Sequence, residues 1–347
     1  MNIALLSDTH YGIHKNSEVF LNSQIKFIKT QFVPYLKNND IQNIFWLGDM
    51  WDNRSSINIK VQNVVYDLFK NELSKFNIYL IVGNHDCFYN SDISVNSLKM
   101  FSEFENVHLI EKITKVKIFD TDIVMVPWVI DQLEFAKEFR KNPCDLCFGH
   151  FNIQGFHYNK FKTSDDGFET KLFGRCKKVF SGHFHIRNTQ MIQGCEIVYI
   201  GSPYQLTRND MDEERGFTIL NLEDLSYKYI NNEKSLKYIK LSYPDNFSQK
   251  TIEGNVIDVH VKYDDVYDEN QIDKYIKKIE QFNPILPPNI FVNSDSQITG
   301  DIDLTNCNIG SMKDLMREYL KSLEIDNKEE IYELLIDLYN QTKNDNI

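Results

Sequence analysis

The 347-residue chain is 42% hydrophobic and 13% aromatic, enough for one large or two modest domains with real cores. No apolar run approaches the roughly 18 residues of a membrane span. The start reads as a strand rather than a signal peptide, and six scattered cysteines (Cys87, Cys144, Cys147, Cys176, Cys195, Cys307) fit a reduced, cytoplasmic setting. The net charge of -12 is uneven: residues 1–200 hold 22 Lys and Arg against 22 Asp and Glu, whereas residues 201–347 hold 16 against 28. The acidic balance therefore argues against the tail binding DNA, but not against the first part doing so.

Apolar runs at 2–7, 43–47 and 78–82 read as buried strands, with helical periodicity between them at 17–36 and 56–73. This alternation predicts a layered α/β domain with right-handed crossovers. Strands are next expected at 114–119, 122–126, 145–148, 178–180 and 196–200. Their density suggests two sheets packed as a sandwich with helices outside. Strands at 216–220 and 226–230 would finish this domain, giving boundaries of 1–232. Residues 233–300 are expected to form a small α+β capping domain, with strands at 256–261 and 290–292 and a helix at 269–281. The proline-rich stretch 283–288 must be loop. Residues 301–347 are read as an acidic helical segment, with helices at 311–323 and 328–342.

Five short segments place Asp, Asn and His at strand ends. They are Asp8-Thr9-His10, Gly48-Asp49-Met50-Trp51-Asp52, Gly83-Asn84-His85-Asp86, Gly149-His150 and Gly182-His183-Phe184-His185. A single Asp-x-His is common in loops, and Gly-Asn-His-Asp alone could be an ordinary turn. All five in this order, each after a strand, point to metal binding beyond the carboxyl ends of a sheet. Mixed carboxylate and imidazole donors suit Mn²⁺, Fe or Zn²⁺ better than Mg²⁺ or Ca²⁺. The glycines before Asp49, Asn84, His150 and His183 are expected to permit the turns that aim these side chains inward. Cys144 and Cys147 lie in an expected strand, where alternation would put them on opposite faces.

The order D-x-H, GDxxD, GNHD, GH, GHxH resembles the calcineurin-like metallophosphoesterases. The resemblance implies two divalent metal ions. Asp8, His10 and His185 would hold one, Asn84, His150 and His183 the other, and Asp49 would bridge them. It also implies that His85 stabilises the transition state or protonates the leaving oxygen, with Asp52 orienting His85 or serving only as a turn residue. Asp86 is expected to fix its loop.

The residues Met50-Trp51-Asp52-Asn53 and Asp86 depart from the VDRG and GNHE of protein serine/threonine phosphatases. The run from Tyr199 to Arg208, read with Arg215-Gly216-Phe217, resembles instead the SbcD-type and Mre-type DNA repair nucleases. Pro127-Trp128 and the Gly149–Asn152 run before Gly155 are similar to the compact bacteriophage members, recombination endonuclease subunits. The likeness is firm over about residues 1–220 and loose beyond. It implies an Mn²⁺-dependent DNA exonuclease and single-strand endonuclease acting in recombination and repair. A homodimer and an SMC-like ATPase partner of the SbcC or Rad type are implied too, with the acidic tail as docking segment. Two alternatives are a phosphodiesterase acting on small nucleotides and a non-catalytic scaffold. The complete ligand set with His85 weighs against the scaffold.

Overall fold

The computed structural model describes residues 1–89, 92–118, 121–129, 131–141, 144–160, 162–262 and 269–293, with 317, 320, 327–329 and 331–336 further on. Residues 1–261 and 269–291 form one compact unit, and the described residues from 292 onward belong to a second. The helices expected over 311–323 and 328–342 lie largely outside the described residues, with helix described at 331–336. No helix among the described residues is long and apolar enough to cross a membrane.

Two six-stranded sheets dominate. One runs, in spatial order, Tyr227–Asn231, Gly216–Asn221, Asn2–Leu6, Asn43–Trp46, Asn77–Ile81 and Val107–Ile110. Its last four strands are parallel, joined through helices Glu18–Phe27 and Ile59–Asn71. The other runs Asn188–Ile192, Cys195–Tyr199, Lys178–Gly182, Leu146–His150, Thr121–Val126 and Thr114–Ile118, and its central four strands are also parallel. Parallel strands share one carboxyl edge, so each sheet carries its loops of interest along a single rim.

Alternation along these strands divides the cores. Ile3, Leu5, Phe45 and Leu47 meet Met125, Phe148, Phe180 and Val198 in one apolar layer between the sheets. Ala4, Leu6, Ile44 and Trp46 face outward onto helix residues such as Phe27 and Leu68. Val124, Cys147, Val179 and Ile197 pack on the far side of the second sheet, under Phe135 and Phe139 of helix Gln132–Lys141. Both faces of each central strand are thus covered, as parallel sheets require. Each fully buried aliphatic or aromatic side chain contributes roughly 1.5–3 kcal/mol. The layers are those of a two-sheet sandwich flanked by helices.

The single helix expected over 17–36 is interrupted by a π turn at Ile28–Phe32 before it resumes at Val33–Asn38. Pro34 explains the break, because it lacks an N–H and its ring would crowd the carbonyl four residues back. Several elements escape the sequence pattern. The strand Asn188–Ile192 sits at a sheet edge, half exposed and polar. The hairpin Cys87–Tyr89 with Asp92–Asn96 and the strand Tyr238–Ser242 are too short or too mixed to stand out. Cys144 and Cys147 join the same apolar cluster, contrary to the alternation argument. Cys144 precedes the strand Leu146–His150, so the pleat does not govern it, and its sulfur lies 3.6 Å from that of Cys176.

Strands Tyr238–Ser242, Val256–Lys262 and Asn289–Asn293 form a three-stranded sheet with helix Glu269–Glu280 and an apolar cluster of its own. The buried Asp258 carboxylate in this sheet accepts from Arg208 Nε (2.6 Å) and Nη2 (3.2 Å), and from the Asn289 amide (2.9 Å). Arg208 lies just after the residues 201–207 that support the site described below. Removing the cation leaves a buried carboxylate poorly matched. We expect Arg208→Met to lower unfolding free energy by about 2 kcal/mol, below the 3–5 kcal/mol of a fully buried pair because Arg208 is half exposed. Urea denaturation checks this, and a loss under about 0.5 kcal/mol would mean the amide of Asn289 suffices.

Candidate metal centre

All five segments meet where the carboxyl edges of the two sheets face each other. The first sheet supplies Asp8, His10, Asp49 and Asn84 just past three parallel strands, and the second supplies His150, His183 and His185. Main-chain bonds from Asp8 N–H to Gly48 C=O (3.0 Å) and from His10 N–H to Asp49 C=O (3.1 Å) carry the strand pairing into these loops. Asp8, His10, Asp49 and His183 all have positive φ, at 52°, 43°, 51° and 88°. Non-glycine residues enter this region at a cost of about 1–3 kcal/mol each, a concentration typical of functional sites.

The glycines play a different part from the one expected. Of the four that precede ligand candidates, only Gly48 has positive φ. A Cβ on Gly83 would strike the main-chain nitrogen and carboxylate of Asp49, and one on Gly182 would strike Ser7 and Leu47. These glycines grant close approach between loops rather than a left-handed turn.

The donor atoms converge in three groups, each with its atoms within 4.8 Å of one another: Asp8, His10 and His185; Asp49, His150 and His183; and His10, Asp49 and His85. Asn84 Oδ1 lies 2.9 Å from both His150 Nε2 and His183 Nδ1. His150 Nδ1 lies 2.7 Å from Leu47 C=O, a bond that requires its proton there and leaves Nε2 to face Asp49 Oδ2 at 3.3 Å. His10 Nε2 and His185 Nε2 stand 3.1 Å apart, and the buried His10 Nδ1 has no hydrogen-bond partner among the described residues. Burial opposes charge on Asp49, but His150, His10 and His85 hold its carboxyl well below the usual carboxylate range. Burial, followed by repulsion from His150, pushes His183 down to about 3, whereas Asp49 and Asp8 overcome burial and raise His150 to about 9. Imidazole nitrogens and carboxylate oxygens thus converge on one buried pocket. Divalent cations fit this donor set.

The supporting residues are equally specific. The buried carboxylate of Asp86 accepts four main-chain N–H groups, from Asp49 and Gly83 at 2.9 Å, Met50 at 3.0 Å and Trp51 at 3.3 Å. Tyr204 donates its hydroxyl to Thr9 C=O at 2.6 Å, and Ser202 N–H bonds His185 C=O at 3.0 Å. The stretch 201–207, which carried only a family likeness in the sequence, therefore buttresses the loops of His10 and His185. We expect Asp86→Asn to cost about 2–4 kcal/mol of stability, because one amide oxygen cannot serve four buried donors and its NH₂ faces them. A urea midpoint shift with unchanged slope measures this, and a loss below about 1 kcal/mol would show that the loop holds itself.

His85 stands at the rim, partly exposed. Its main-chain N–H donates to Asp49 Oδ1 (2.8 Å), and its ring Nδ1 lies 2.7 Å from the main-chain oxygen of Asp52. The Asp52 carboxylate instead points toward His10, with Oδ1 3.7 Å from Nδ1. Trp128, read in the sequence only as a family marker, sits with its ring centroid 5.1 Å from that of His183 and 6.0 Å from that of His150. Its place just past a parallel strand, like the other segments, was the available signal. Lys177 and Lys178 pair with Asp145 and Glu196 at the opposite end of the strand that leads to His183. These two lysines are thus remote from the site.

The chain is similar to several known proteins. Exonuclease subunit 1 of Enterobacteria phage T4 is 26% identical over 336 residues, spanning 93% of each chain. The SbcD component of the nuclease SbcCD from Staphylococcus epidermidis is 24% identical over 260 residues, 65% of this chain and 67% of that one. The solved structure of an archaeal phosphodiesterase aligns with 67% of this chain and 99% of that chain, at 15% identity and a TM-score of 0.38. The model of the calcineurin-like phosphoesterase family matches residues 1–187, more than half of the chain. With the sandwich, the two rims and their donor residues in place, the chain belongs to the calcineurin-like phosphoesterases.

Proposed function

We propose that this phosphoesterase is a metal-dependent DNA nuclease of recombination and repair, acting as exonuclease and single-strand endonuclease. The observation that carries this reading is a buried pocket of carboxylate, amide and imidazole donors with His85 at its open rim. The T4 and staphylococcal relatives are both nuclease subunits by name, and the T4 relative matches over nearly the full length. In this reading Asp8, His10 and His185 would hold one ion, Asn84, His150 and His183 a second, and Asp49 would serve both. Manganese suits the mixed nitrogen and oxygen donors. When bound, such ions neutralise charge on a phosphate and lower the pKa of water.

The chain's own residues do the rest. Asp52 C=O fixes the His85 ring by taking its Nδ1 proton in a hydrogen bond, so Nε2 is the atom free to work toward substrate. A protonated Nε2 can give its proton to the departing oxygen or bond a phosphate oxygen. Asp52 thereby orients His85 through its backbone, while its carboxylate lies toward His10. Residues 233–300 would cap the site and 301–347 would dock an SMC-like ATPase of the SbcC or Rad type, with the chain working as a homodimer in the cytoplasm. Among the described tail residues, Leu334 is 61% exposed on a helix, which is compatible with docking.

The deciding assay incubates the pure chain with single- and double-stranded DNA and Mn²⁺ or Mg²⁺, with and without the ATPase. Hydrolysis of small nucleotide diesters with no cutting of any DNA would replace this reading by a small-substrate phosphodiesterase. His85→Ala is expected to keep its metal content and lose at least about a hundredfold in turnover. Loss of ions in that variant would instead make His85 a ligand. Asp49→Asn is expected to lose metal and activity together without unfolding, as metal analysis beside circular dichroism would show. Two retained ions with near-normal cutting would remove Asp49 from the bridging role.

A further inference from the structure

The hairpin that follows the Asn84–Asp86 loop carries two large rings with no structural duty. Phe88 and Tyr89 are 48% and 51% exposed, and neither joins any of the four apolar clusters among the described residues. Their rings meet edge to face with centroids 4.8 Å apart. The hairpin base is held firmly: Ser97 N–H bonds Asp86 C=O at 2.9 Å, and Cys87 is buried. The two rings, His85, and the turn Asp52–Ser55 line one open hollow of about 510 Å³. Asn53 shapes that turn by accepting from Ser55 N–H (2.9 Å), Ser55 Oγ (3.0 Å) and Ser56 N–H (3.2 Å).

This hollow is large enough for a nucleotide, since small-molecule sites span roughly 300–1,000 Å³. Its charge is nearly balanced, with Arg54 as its cation and Asp52, turned toward His10, as its carboxylate. Residues 1–200 carry no net charge, and with so little positive charge in the hollow itself this surface gains little from a phosphate backbone alone. Exposed aromatic faces offer a strand a grip that does not depend on charge, because every base has a π-face. We propose that Phe88 and Tyr89 form a stacking platform for one base of single-stranded DNA beside the bond being cut, with Arg54 meeting the adjoining phosphate. The inference rests on the nuclease reading and adds to it the nucleotide on the leaving side, next to His85.

The test is a cycle between protein and substrate. Single-stranded oligonucleotides carrying one abasic spacer, moved stepwise through positions flanking the cut, are cleaved by wild type, Phe88→Ala, Tyr89→Ala, the double variant and Phe88→Trp. The wild type should show a rise in KM of about 5- to 100-fold when the spacer falls on one position. The double variant should show a similar rise on the unmodified strand, and the spacer should add nothing further. Phe88→Trp should restore the spacer penalty. A wild type indifferent to spacers, or a penalty that persists in the double variant, overturns the platform while leaving the nuclease intact. A changed oligomeric state or weakened ATPase capture with an unaltered penalty overturns it too, and makes the pair a protein interface. A wild type that cuts no DNA at all fails the nuclease reading itself, and the platform with it.

Discussion

The carboxylate of Asp86 is the point on which the site depends. It gathers N–H groups from its own loop at Gly83 and from the neighbouring loop at Asp49, Met50 and Trp51, so two strand ends are bound to one buried carboxyl group. Each N–H so placed would otherwise be buried away from water at a cost of about 1–3 kcal/mol. Once these loops are fixed, Asp49 Oδ1 accepts from His85 N–H, and Asp52 C=O meets the His85 ring. The geometry of the rim is therefore inherited from a residue that need not touch a substrate. Asp8 does similar work across to the opposite sheet by accepting the His183 N–H at 3.0 Å.

Such a pocket is unfavourable by itself. It buries the carboxylates of Asp8, Asp49 and Asp86 with the imidazoles of His10 and His150, and it holds four non-glycine residues at positive φ. The three apolar layers above and below the sheets offset this cost and leave the loops no room to relax. Gly182 lets the two rims come within contact of each other and Gly83 lets two loops of the first rim do so, so a single added methyl at either would part its neighbours. Stability made in the layers is thus held as preorganisation at the rim.

Much of this was legible in the sequence, and the gaps have physical causes. Central strands such as Asn43–Trp46 and Asn77–Ile81 are continuous apolar runs because both faces are buried, and the five motif segments follow such strands. The edge strand Asn188–Ile192 was illegible because solvent on one side relaxes its composition. The π turn before Pro34 was hidden by helical periodicity on either side. Within the site, residue types announced the donors, but not how they are held. That the main chain of Asp52 orients His85, that Tyr204 supports Thr9, and that Trp128 flanks His183 are facts of three-dimensional assembly. No spacing rule reveals a backbone carbonyl's direction.

The pocket draws its halves from distant stretches of chain: His10 and His185, now 3.1 Å apart, are separated by 175 positions. At a synthesis rate of about 5–20 residues per second, on the order of 10–35 s pass between their appearance. Pairing two sheets across such a separation is also intrinsically slow. A nascent chain, or one ended early by a damaged message, thus bears Asp8, Asp49 and Asn84 on its first rim and has nothing opposite them. Reactivity toward phosphodiesters arrives only with a nearly complete first domain, which keeps unfinished copies harmless to the nucleic acid around them.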